Sequence, residues 1–153
     1  NFKFDPIKTL NLDIPRENRK EALEAAAEYL KTAMLDYIGS GNSPVSGFGK
    51  FPGYTPAYKT VKGEQSSSFT VNLELTGELL DALDVSVKGG KLAVDVVGDS
   101  ELRGKAEGNN LGTYGQSKPI AGKARRFIPV EDETFKRGIL TGLRDILSEF
   151  EDG

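Results

Sequence analysis

The run Val85-Ser86-Val87-Lys88-Gly89-Gly90-Lys91-Leu92-Ala93-Val94-Asp95-Val96 holds two stretches of alternating apolar residues on either side of a glycine pair. Val85 and Val87 before the pair, and Leu92, Val94 and Val96 after it, recur every second residue, the period of a strand with one face in a core. Lys88-Gly89-Gly90-Lys91 supplies a two-residue turn whose glycines tolerate the positive φ that a tight hairpin requires. An antiparallel hairpin is therefore expected here. Upstream, Phe69, Val71, Leu73 and Leu75 alternate with Thr70, Asn72 and Glu74 and predict a half-buried strand, with Thr76 set to cap a short helix over 77–83. At the start of the chain Phe2/Phe4 and Leu10/Leu12/Ile14 alternate in two pieces, read as short strands or an extended arm.

Two segments carry the helical period instead. After Pro15, a first-turn residue, 16–38 places Leu23, Ala27, Leu30, Met34 and Tyr37/Ile38 on one face, and Gly39 is the expected stop. Ala22, Ala25, Ala26, Ala27 and Ala33 give this helix high propensity and a thin surface that another element can approach. Near the end, Phe135, Ile139, Leu143, Ile146 and Phe150 recur at helical spacing and predict a C-terminal helix. Gly138 and Gly142 lie within it, each costing about 1 kcal/mol relative to alanine. Two readings account for them: close packing on the alanine face of the long helix, or a flat seam for a neighbouring subunit. Together these elements predict one α+β domain over 1–153: a small antiparallel sheet with a β-hairpin, packed by a long N-terminal helix and a C-terminal helix, and joined by long loops.

The loops are the unusual part. Residues 39–68 are broken by Gly41, Pro44, Gly47, Gly49, Pro52, Gly53, Pro56 and Gly63 and end in Ser66 to Ser68, yet they carry Phe48, Phe51, Tyr54 and Tyr58. Structureless loops of that length in a compact domain are uncommon and usually functional. Ordering about thirty residues costs on the order of 30 kcal/mol, at roughly 1 kcal/mol each. At ~25 cal/mol per Å² that requires about 1,200 Å² of buried apolar surface, more than a small domain spares and within what a subunit interface provides. The four aromatic residues are the expected anchors. A second irregular stretch, 108–126, is rich in Gly, Asn and basic residues.

Composition narrows the chemistry. The 153 residues include no cysteine and no histidine, are 37% hydrophobic and 28% charged, and carry a net charge of −3. Disulfides, thiolate sites and the usual histidine-based triads are excluded, and the commonest metal ligand is missing. No apolar stretch approaches the roughly 20 residues that span a bilayer. The Gly-Lys pairs at 49–50, 90–91, 104–105 and 122–123 lack the following Ser or Thr of a phosphate-binding loop, and Gly47-Phe48-Gly49 lacks the helix of a dinucleotide site. Asp95, Asp99 and Glu101 could serve a carboxylate-based hydrolase or bind a hard cation, against the simpler reading of solvated acids at element ends. No cofactor, metal or catalytic residue is expected. Lys118, Lys123, Arg125 and Arg126 form a basic strip before Phe127-Ile128-Pro129, suited either to salt bridges with an acidic neighbour or to weak, salt-sensitive phosphate contacts.

The order of these pieces resembles the bacteriophage tail-completion and virion-morphogenesis proteins, a head-tail joining group that includes the gp10-like proteins of lambdoid phages. The resemblance rests on Tyr58-Lys59, Leu75-Thr76-Gly77-Glu78-Leu79-Leu80, the hairpin, Asn110-Leu111-Gly112, and Ala124-Arg125-Arg126-Phe127-Ile128-Pro129 before the closing helix. It spans most of the chain, and the shared order carries it. The His-x-x-Gly-like element and the tryptophan frequent in that family have no counterpart here; Asn109 to Gly112 and Phe51/Tyr54 stand in their places. The resemblance implies a homo-oligomeric ring, sixfold, at the junction of head connector and tail. It would contact other virion neck, connector and tail-tube proteins, let DNA pass through its lumen without sequence-specific binding, and be made in the bacterial host cytoplasm before joining the virion. On that reading Phe48, Phe51, Tyr54, Tyr58, Lys118, Lys123, Arg125, Arg126, Gly138 and Gly142 are the subunit-interface candidates. The competing reading is a small DNA-binding or packaging factor using Lys118 to Arg126.

Overall fold

The computed structural model describes residues 2–50, 81–98, 103, 126–130 and 132–151. Its elements are β1 (Phe2–Phe4), α1 (Pro6–Thr9), α2 (Arg16–Gly39), β2 (Leu83–Lys88), β3 (Lys91–Val96) and α3 (Arg137–Ser148). The three strands form an antiparallel sheet in the order β1-β3-β2. Its arrangement with a long N-terminal and a C-terminal helix is the expected α+β fold. The expected strand over Phe69 to Leu75 and most of the helix after it lie outside the described residues.

The hairpin forms as its sequence dictates. Val85 pairs with Val94 and Val87 with Leu92, and Gly89 and Gly90 both have positive φ, 57° and 78°. That is the primed turn whose twist matches the flanking strands. β1 adds on the other side of β3, Phe2 opposite Val94 and Phe4 opposite Leu92. Phe2, Phe4, Leu83, Val85, Val87, Leu92, Val94 and Val96 consequently share the sheet face that packs toward the helices.

Only the first of the two N-terminal alternating pieces is a strand. Asp5 caps a single helical turn, its carboxylate accepting from the Lys8 N–H at 3.1 Å, with Pro6 in the first turn. The Asp-Pro pair is a helix-start signal, and it overrides the alternation of Leu10, Leu12 and Ile14. Leu10 and Ile14 reach the core from the turn beyond, where Asn11 takes φ 55°.

α2 buries Ala22, Leu23, Ala26, Ala27, Leu30, Met34 and Ile38. Pro15 stands just outside its first turn as N-cap, and Gly39 is its last residue rather than its stop. The stop is Gly41, at φ 81°. There the Gly41 N–H bonds to the Ile38 carbonyl (3.0 Å) and the Asn42 N–H to the Tyr37 carbonyl (2.9 Å), the paired bonds of a Schellman cap. α3 packs on α2 through Ile139, Leu143 and Leu147, not through Ile146, which is half-buried. Phe135, expected on that helix, lies just before it and is fully buried, with its ring 5.7 Å from Phe2 and 5.9 Å from Phe4. One continuous hydrophobic core joins the sheet and both helices.

Candidate interaction surface

The beginning of the first long loop belongs to this core. Val45 is fully buried and forms an antiparallel bridge with Phe135, flanked by Ser46 N–H to Thr134 carbonyl (2.8 Å) and Lys136 N–H to Pro44 carbonyl (2.9 Å). A second bridge, Asn42 to Lys50, closes the segment on itself, with the Ser43 N–H donating to the Gly49 carbonyl at 2.9 Å. Gly47 turns the chain at φ 93°. The expectation that 39–68 orders against a neighbouring subunit is therefore corrected for 40–50, which order against their own chain. Val45 and Ser43 are buried within their own chain, and this part of the ordering cost is met there.

The end of the second connector lands on the same spot. The Ser43 hydroxyl donates to the Arg126 carbonyl and accepts from the Val45 N–H at 3.1 Å. The Arg126 guanidinium lies 4.9 Å from the centroid of the Phe48 ring, and its Nε is 2.9 Å from Oε1 of Glu133. That pair is a close ionic contact, and Glu133 Oε1 also accepts the Val130 N–H at 3.0 Å. Both partners are largely covered, at 13% and 25% side-chain exposure, so the attraction is screened less than between exposed charges. Phe127 and Ile128 continue into the core.

Of the ten interface candidates, the structure thus brings Phe48 and Arg126 together within one chain. Gly138 and Gly142 lie on α3 facing tyrosines of α2: a Cβ at Gly138 would stand 3.3 Å from the Tyr37 hydroxyl, and one at Gly142 would overlap the Tyr29 ring. Their close approach is to Tyr37 and Tyr29, not to the alanines of α2. Phe51, Tyr54, Tyr58, Lys118, Lys123 and Arg125 lie outside the described residues. Ser43, Val45 and Glu133 were missed, since a bridge between distant irregular segments leaves no periodic trace; the polar Ser43 between Asn42 and Pro44 was the one local signal.

The remaining ends of the connectors also meet. β2 begins opposite the end of β3, Leu83 pairing with Val96 and the Val97 N–H donating to the Ala82 carbonyl at 2.8 Å. The described residues on either side of 51–80 and of 99–125 therefore meet at the same two places, the Ser43/Arg126 anchor and the open end of the hairpin. Among the described residues no group of three or more His, Cys, Asp or Glu side chains could hold a metal ion, and no helix is long and apolar enough to cross a membrane. Comparison with protein-family models, curated proteins and solved structures found no match to this chain.

Proposed function

We propose that the chain is a structural subunit of a phage head-tail junction, a neck or tail-completion ring that joins the portal-side connector to the tail. One observation carries the reading: the described residues that flank the two long connectors meet in two places on one small core, Ser43 to Lys50 beside Arg126 and Ala82 beside Val97. A packed core that gathers the flanks of two long connectors suits a subunit that contributes shape. The aromatic residues Phe51, Tyr54 and Tyr58 on one connector and the basic residues Lys118, Lys123 and Arg125 on the other supply the large side chains and charges that interfaces favour. In the alternative reading, a DNA-binding strip over Lys118 to Arg126, Arg126 would act beside its contacts with Phe48 and Glu133.

Negative-stain imaging of the purified chain, alone and then mixed with phage heads and tails, tests this reading. Closed rings, or density added at the neck, are the expected result. A monomer that joins neither component would overturn it. A nitrocellulose filter assay across salt concentrations separates the DNA-binding alternative, which demands a steep salt slope.

A further inference from the structure

Among the described strands β2 is an edge of the sheet, and its hairpin turn determines which backbone groups face outward. Lys88 and Lys91 close the two-residue turn, so Asp84, Ser86 and Lys88 exchange hydrogen bonds with β3, and the Val97 to Ala82 bond keeps the same alternation. Val85 and Val87 consequently point their N–H and C=O groups away from the sheet, and no described residue bonds to them. Alongside runs a groove of about 470 Å³, lined among the described residues by Lys20, Glu24, Ala27 and Glu28 of α2 and Val85, Ser86 and Val87 of β2. A sheet edge whose outward backbone groups no described residue bonds, beside a groove against a helix, is a template for another strand.

The charges on β2 specify which strand. Within the hairpin Asp84 stands opposite Asp95 and Lys88 opposite Lys91, like against like, an arrangement that destabilises a strand pair. Neither Asp84 nor Lys88 has an opposite charge directly across from it on β3. We infer that β2 pairs antiparallel with β2 of a second copy, about a twofold axis through Ser86. This register sets Val85 opposite the partner's Val87, the two exchanging both backbone hydrogen bonds, and Asp84 opposite the partner's Lys88 twice over. Centring the axis on Val85 or Val87 keeps the backbone bonds but sets Asp84 or Lys88 against serine. Only the Ser86 register supplies both missing counter-charges. On the helix side it joins the two apolar floors of Ala27, Val85 and Val87.

This pairing is separate from the ring contact proposed above, since a twofold edge contact does not propagate around a polar ring; either can fail without the other. Sedimentation equilibrium of the full chain tests it, with Asp84→Lys, Lys88→Asp and the double swap. Each single change improves the hairpin, setting a lysine opposite Asp95 or an aspartate opposite Lys91, so loss of association cannot be attributed to unfolding. The expected result is a dimer whose association constant falls about tenfold or more in each single variant, two cross-strand pairs turning repulsive, and recovers in the double swap. The chain has no cysteine, so Ser86→Cys introduces a single thiol on the axis. There the facing Cα atoms of a non-hydrogen-bonded pair sit about 4.5 Å apart, within disulfide range. Mild oxidation should cross-link Ser86→Cys and leave Lys3→Cys, on the far edge, uncoupled. A monomer, or an association indifferent to the charge swaps and without cross-linking at Ser86→Cys, overturns the proposal.

Discussion

At the scale of single residues, the two glycines of α3 make opposite predictions although they are one helical turn apart. A methyl at Gly138 meets the Tyr37 hydroxyl at 3.3 Å, which a small rotation relieves, while alanine raises helix propensity. Gly138→Ala should leave stability unchanged or raise it by up to ~1 kcal/mol. At Gly142 the methyl overlaps the hydroxyl and ring of Tyr29, and the ring must leave its place between the helices. Overpacking of this kind costs about 1–3 kcal/mol, so Gly142→Ala should lower the urea midpoint despite its better propensity. Tyr29→Phe should not rescue it, because the ring carbons overlap as well; Tyr29→Ala should make the added methyl harmless. The same tyrosine carries a pH signature. Burial first, then the neighbouring Tyr37 and Asp145, raise its pKa above the ordinary value near 10. The folded state then holds the phenol proton more tightly than the unfolded chain does. Its contribution is fully present below about pH 10 and is lost as pH rises through the folded value. Lys136, its pKa lowered by burial, acts in the opposite sense, its penalty fading as pH rises. Melting curves between about pH 9 and 11.5 should show a smaller alkaline loss of stability in Tyr29→Phe than in the parent.

At the scale of elements, periodic order was legible in the sequence and local punctuation only partly so. The hairpin and both long helices follow from periods of two and about 3.6, because each buries one face against the same core. The second N-terminal piece misleads: Leu10, Leu12 and Ile14 alternate like a strand, but Asp5-Pro6 starts a helical turn first and the alternation is spent in the turn after it. The helix stop falls at Gly41 because a Schellman cap needs positive φ one residue beyond the C-cap, which Gly39 does not occupy. Ile146 and Leu147 are adjacent apolar residues, and the contact with α2 rather than the pattern selects Leu147. Within the hairpin, Gly89 and Gly90 both adopt the left-handed conformation, and asparagine tolerates the first of these positions at less entropic cost to folding. Gly89→Asn should therefore raise the thermal midpoint, by an amount equivalent to about 0.4–1 kcal/mol. A loss of stability would mean that the turn is not of the primed type.

At the scale of the whole molecule, the bridge between Val45 and Phe135 ties residues 40–50 to the core. It couples the start of the first loop to the entry of α3, and the Phe135 ring carries that coupling to Phe2 and Phe4 of β1. No sequence period could announce it, since its partners are far apart in the chain and neither lies in a regular element. If the bridge is part of the core, the backbone amides that flank it should open only when the core opens. The N–H groups of Ser46 and Lys136, bonded to Thr134 and Pro44, should then exchange with solvent deuterium on the timescale of the β3 amides in the isolated chain. Val45→Ala removes two buried methyl groups, costing about 1–3 kcal/mol, and should speed exchange at both amides more than at the centre of α2. Rapid exchange at Ser46 and Lys136 in the parent chain would detach 40–50 from the core. The Ser43/Arg126 anchor would then cease to be a fixed point, and the described flanks of the two connectors would no longer meet there.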